Sequence, residues 1–241
     1  MTGVQTCALP IFHVRFIARD ELPAFAEYFG DGWGKARLAG GRRYEISIED
    51  EFIFSFLHFF KHFIFSGIGL KHIVDLWIFM EKSPNLDLAY VENELNGLKM
   101  LEFYKNVTNS IKVLFSDQKG DEKTDFIVNH VLECGTWGTE KTAAISRGVA
   151  TKRKVGRSGG VRGYTILKLL FPPRKDLQVH YPVLRKHFYL LPFVWIVRWV
   201  NVAVHKRDTV AFRRREIKEI STENVNELEA KFTLVGINLL K

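Results

Sequence analysis

Apolar residues recur every three to four positions over most of this chain, a period that predicts helices. Leu22, Phe25 and Phe29 mark a first short helix within ELPAFAEYFGDGW. The most apolar stretch is FIFSFLHFFKHFIF. Its polar residues Ser55, His58, His62 and Ser66 fall three and four apart, so they form one narrow stripe on a helix that is otherwise apolar all round. A helix of that kind is expected to be almost fully buried. Ser47 and Asp50 stand where a helix start wants a cap and its reciprocal partner, and the acids Glu49 and Asp50 suit the positive end of the helix dipole. Gly67 and Gly69 end this helix, and Leu70–Lys82 predicts a second one running back, stopped at Ser83-Pro84. Together they form an αα-hairpin.

Leu86–Phe115 continues as helices broken at Asn96-Gly97, with Val107, Ile111 and Leu114 on one face. SDQKGDEK reads as a polar loop. Asp125–Cys134 predicts a helix that aligns Ile127, Val131 and Cys134, with Gly135 placed to stop it. Residues 136–163 bring Arg147, Lys152, Arg153, Lys154, Arg157 and Arg162 with glycines and no acid after Glu140, and they read as a mobile basic loop. Tyr164–Phe171 is a short helix ended by Pro172-Pro173, and Leu190–Val204 is strongly apolar. Val225, Leu228, Phe232, Val235 and Leu239 predict an amphipathic closing helix capped by Ser221 or Thr222. Strand is expected only at FHVRF, residues 12–16, and AGGRRYE reads as a glycine-bearing connector. The expected fold class is mainly α: a helical bundle with an αα-hairpin at its centre and a remnant strand at the N-terminus.

The opening MTGVQTCALPI changes where the fold is expected to begin. It resembles translated sequencing-adaptor sequence, which places the native chain at about Phe12; the alternative is a slightly apolar native N-terminus. It fits a secretory signal poorly, since it lacks a basic segment and Gln5, Thr6 and Pro10 interrupt its apolar run. Of two cysteines, Cys7 lies in this leader, leaving Cys134. That excludes a disulfide framework and a cysteine-built zinc site, and it fits a reducing cytoplasm. Hydrophobic residues make up 46% and charged ones 26% of 241 residues, which fits a globular chain with a real core. The net charge of +8 favours anionic partners.

Several motifs carry competing readings. His58 and His62 have the i, i+4 spacing of zinc proteases, but Phe59 stands where that motif needs glutamate. They are read as structural or substrate-positioning histidines, with a metal as the weaker alternative; His72 and Asp75 lie on the neighbouring helix. GTWGTEKT fails as a phosphate loop because Glu140 precedes Lys141 where glycine is required. The acids of GGRRYEISIEDE are better explained as a first helical turn than as a magnesium site. The basic residues 147–162 would meet phosphate or an anionic surface, or simply be solvated. YLLPFVWIVRWVNVAV is too short to span a membrane and contains Pro192, Arg198 and Asn201. A buried helix is the leading reading, with Arg198 reaching a carboxylate or solvent; an interfacial helix is the other.

At FLHFFKHFIFSGIGLKHIVDLWIFMEK the chain resembles the C-terminal half of an uncharacterised bacterial nucleotidyltransferase family, of the polymerase-β-like superfamily. The resemblance rests on His58, His62, Gly67-Ile68-Gly69, Lys71 and Asp75. It continues through CGTWGT, KLLFPPRKDLQVHYPVLRKH, YLLPFVWIVRW and ELEAKFTLVGINLL, from about Phe12 to the end. It implies a Mg2+-dependent enzyme that transfers a nucleotidyl group from a nucleoside triphosphate (NTP) to an acceptor. It also implies that the strand-borne metal carboxylates precede Phe12. No Gly-Ser turn with an Asp-x-Asp pair occurs in the chain, and where the family carries an acid before His13 this chain has Ile11. Residues 12–46 then correspond to a remnant of the catalytic core with its connector, and 47–241 to the helical C-terminal domain. On this reading no catalytic residue and no metal ligand is assigned, and the chain alone is expected to hold neither Mg2+ nor NTP. Lys71 is the expected phosphate contact, Asp75 the residue that orients it, and His58 and His62 the residues facing the acceptor. Lys71 and Asp75 are read equally well as a surface pair. The alternative function is a stand-alone helical module that binds RNA or an anionic membrane through its basic loop.

Overall fold

Helix α2 (Ile48–Phe65) organises the fold, because its sequence past the first turn is apolar on all but one narrow stripe. Phe52, Phe56, Phe59, Phe60 and Phe63 are all buried, along with Ile53, Leu57 and Ile64. A computed structural model of the chain describes residues 22–30, 33–65, 68–135, 139–155, 160–205 and 207–238. The expected strand at 12–16 lies outside them, as does the leader. The architecture is mainly helical, with α2 and α3 (Leu70–Lys82) forming the central αα-hairpin.

Local chemistry fixes the helix ends. Before α2, α1 (Pro23–Phe29) begins with Pro23 in its first turn, and Gly30 follows with φ 56°. The Asp50 backbone N–H donates to Ser47 Oγ at 3.1 Å, and Ser47 Oγ meets Asp50 Oδ2 at 3.2 Å, which is the expected cap. Helix α4 (Leu88–Gly97) is capped by Asp87 and α6 (Glu122–Glu133) by an Asp121–Thr124 capping box. Between α4 and α5 (Leu101–Phe115) the left-handed residue is Lys99, φ 59°, so the break lies two residues past Gly97. Gly135, φ 64°, ends α6 as its position foretold.

Two stretches depart from expectation. AGGRRYE is a two-stranded antiparallel hairpin, β1 (Arg37–Gly40) and β2 (Arg43–Glu45), rather than a plain connector. Gly40 and Gly41 take φ 148° and 57°, which closes a turn that other residues resist. The second is 136–163. Instead of a loop it carries α7 (Glu140–Val155), capped by Thr139 Oγ1 accepting from the Thr142 N–H, and the start of α8 (Val161–Leu170). Helix α7 hides a face of small residues: Ala144, Ser146, Gly148 and Val149 are buried. A Cβ on Gly148 would lie 2.7 Å from a Val225 methyl, so glycine lets α7 press onto α12 (Thr222–Leu234).

The main core joins α2 to α3, α5, α6, α7 and α12. Phe103 of α5 packs its ring against Phe56, Phe59, Phe60 and Phe63, with centroids 5.2–6.3 Å apart. Asn106 Nδ2 donates to the Val235 carbonyl at 3.1 Å and ties α5 to the end of α12. A second, smaller cluster of Leu177, Leu184 and Val194 joins α9 (Arg174–Leu177), a 3-10 turn at Pro182–Arg185 and α10 (Leu191–His205). Helix α11 (Arg207–Glu219) leads back to α12.

Helix α10 is not the buried helix its composition foretold. Val194 is its buried apolar residue, while Phe193, Ile196, Val197, Val200 and Val204 are each more than half exposed. Its inner side serves the carbonyls at the end of α8. Arg198 donates to Leu169 O, Trp199 Nε1 to Leu170 O and Trp195 Nε1 to Pro172 O, at 2.8–3.0 Å. A helix C-terminus leaves such carbonyls without internal partners. Arg198 therefore finds backbone oxygen rather than the carboxylate or solvent expected for it.

Candidate functional site

The four candidate residues come together because one hairpin carries all of them. Turn-by-turn spacing puts His58 and His62 on the side of α2 that faces α3, and α3 returns Lys71, His72 and Asp75 to the same region. His58 Nε2 and His62 Nε2 are 2.8 Å apart, so one imidazole donates and the other accepts. The His72 ring lies 5.2 Å from His62 and 6.1 Å from His58. His58, His72 and Asp75 share the wall of a cavity of about 110 Å3 with Ser55 and Phe54. That volume admits a few waters and is far below what a nucleotide fills.

His72, noted from sequence only as lying on the neighbouring helix, sits between Lys71 and Asp75. Burial, followed by the positive charge of Lys71, pushes its pKa below the usual histidine value. Its Nδ1 is buried and lacks a hydrogen bond of good geometry. His72 is thus held neutral beside the His58–His62 pair. Lys71 Nζ meets Asp75 Oδ2 at 2.7 Å, with both side chains about half exposed. This is the expected i, i+4 pair, and it leaves the lysine within reach of solvent and of an incoming anion.

The acids at the start of α2 serve the fold. Asp50 is buried, and its Oδ1 accepts from Lys35 Nζ at 2.6 Å, from Tyr90 OH at 3.4 Å and, at the limit of a hydrogen bond, from Tyr28 OH at 3.5 Å. Glu49 accepts from the Asp87 N–H. Burial pushes the Tyr28 hydroxyl far above the usual tyrosine range, with Glu94 adding to the shift, so it stays protonated as a donor. Among the described residues, no group of three or more His, Cys, Asp or Glu side chains is placed to hold a metal ion. The Cys134 thiol is buried and its pKa is raised by that burial, which makes it a poor nucleophile.

The basic residues of 147–162 do not form a free patch where they are described. Arg147 pairs with Glu216 of α11, which Arg213 also reaches, and Lys152 pairs with Glu229 of α12 and with Asn226. The acids lie some seventy residues downstream, which is why the local sequence showed cations without partners. Arg162 is exposed. The side chains of Arg153, Lys154 and Arg157 lie outside the described residues.

A larger cavity, about 910 Å3, opens between α1, the α4–α5 turn, α7, α8 and α11. Phe25, Phe65 and Ile220 give it an apolar lining, and Lys99, Arg147 and Lys168 give it positive charge. It has the volume of a small-molecule pocket. No local motif announced it, because its walls come from segments far apart in sequence.

Comparison with known families bears on the first half of the chain. The model of a family described as uncharacterised nucleotidyltransferase matches residues 12–116, a span that holds the whole α2–α3 hairpin. Residues 117–241 lie beyond that match. No curated protein and no solved structure matches the chain.

Proposed function

We propose that this chain serves nucleotidyl transfer from an NTP to an acceptor, and that the α2–α3 face meets the triphosphate. The observation that carries this reading is the family match over 12–116, which encloses His58, His62, Lys71 and Asp75. Lys71 lies in the first turn of α3, where the positive end of the helix dipole adds to its own charge. Asp75 holds the Lys71 ammonium within one turn and so aims it. The His58–His62 pair, its two Nε2 atoms held by their mutual hydrogen bond, positions the acceptor side of this face.

The Mg2+ that such chemistry employs finds no fit among the described carboxylates. Asp50 is spent on Lys35 and Ser47, and Asp75 on Lys71. The role assigned to this face is therefore to bind and orient the nucleotide, and no bond-making step is placed on it.

Isothermal titration of the chain with an NTP tests the reading. Weak binding is expected in the wild type, more than the resemblance implied for the chain alone, because Lys71 is half exposed; it should be lost in Lys71→Met and reduced in Asp75→Asn. The pair is half exposed, so either variant should change stability by no more than about 0.5 kcal/mol. Equal affinity in Lys71→Met would overturn the assignment.

A further inference from the structure

The outward stripe of α10 reverses the usual logic of an amphipathic helix. Phe193, Ile196, Val197, Val200 and Val204 repeat at helical spacing and point away from the protein. Phe188 and Tyr189, in the 3-10 turn just before α10, are also more than half exposed. An apolar face of this size on a folded chain marks a place where something docks.

The charge around it identifies the occupant. Residues 160–205 hold seven lysines and arginines against one acid, Asp176. In α7, cations are matched by Glu216 and Glu229. None of the seven in 160–205 has a carboxylate partner among the described residues. Arg174 and Arg198 donate to backbone carbonyls, which leaves their charge uncompensated. A second copy of this chain would bring the same cations face to face, and like charges oppose that contact. Aromatic and aliphatic side chains beside unpaired cations match the boundary between acyl chains and anionic headgroups. No helix among the described residues is long and apolar enough to cross a membrane, so α10 would lie in the surface plane.

We infer that α10 and the turn before it seat this protein on an anionic lipid leaflet, through Phe188, Tyr189 and the outward stripe, with Arg185 and Lys186 at the headgroups. This surface is separate from the α2–α3 face, and the inference stands without the nucleotide reading.

Co-sedimentation with vesicles tests it. The full chain is mixed with vesicles of phosphatidylcholine alone and of phosphatidylcholine with phosphatidylglycerol. Sedimentation is expected with the anionic vesicles, about tenfold stronger than with phosphatidylcholine alone, and falling as salt is raised. The double variant Phe193→Ser/Val197→Ser alters exposed positions, so it should keep its circular dichroism while binding drops by about tenfold. A charge variant, Arg185→Glu/Lys186→Glu, should lose the preference for phosphatidylglycerol. Four results would overturn the inference: no sedimentation with anionic vesicles, equal binding to both vesicle types, unchanged binding in the serine variant, or a dimer that the serine variant dissolves without any vesicle binding.

Discussion

Helices α2 and α10 are written in nearly the same alphabet and end in opposite surroundings. Both are long apolar runs with a few polar interruptions. Helix α2 is packed by α3, α4, α5 and α7, and five of its phenylalanines are buried. Helix α10 meets α11, the preceding 3-10 turn and the end of α8, and its outer stripe faces solvent. Apolar periodicity reports that a helix forms. How many neighbours the fold can bring to that helix is a property of the rest of the chain. Burial at α2 holds the fold together, whereas exposure at α10 is open to a partner.

The sharpest way to break the contrast is Phe103→Ala. Phe103 is fully buried against four phenylalanines of α2, so about 4 kcal/mol of stability should be lost, read by urea denaturation. A loss below about 1 kcal/mol would mean that the core is looser than the packing shows.

The next effect is on pH dependence. His130 is buried among Phe63, Phe126 and Phe232, and burial pushes its pKa down to about 4 from 6.5, opposed by a bond with the Phe63 backbone and helped by Lys231. The folded state thus binds its proton later than the unfolded state as pH falls. Its contribution is full above about pH 6.5 and declines toward pH 4, by about 3 kcal/mol in all. His130→Leu should flatten that part of the stability–pH profile, and an unchanged profile would remove His130 from its cause. The smallest effect is the counterpart in α10: Phe193→Ser should shift stability by less than about 0.5 kcal/mol, because Phe193 is exposed.

How much was legible follows the same division. The bounds of α3 and the caps at Ser47 and Ser221 could be read because each depends on a few adjacent residues. Helix α7 could not, because its buried face is built from Ala144, Ser146 and Gly148, which raise no apolar signal, and because its cations find acids only through α11 and α12. The β1–β2 hairpin is too short to show alternation, and only Gly40-Gly41 hinted at it. That Lys71, Asp75, His58 and His62 share one region could be read because one hairpin carries them. His72 was noted on the neighbouring helix, but its contact with the other two rings depends on how α3 packs on α2.

Histidine ring-proton spectra recorded through a nucleoside triphosphate titration test the nucleotide site most directly. If the triphosphate lands on the α2–α3 face, the signals of His58, His62 and His72 move together in the wild type and stay still in Lys71→Met. Shifts confined to His180 and His187, or an identical titration in the Lys71→Met chain, would contradict a nucleotide site on that face.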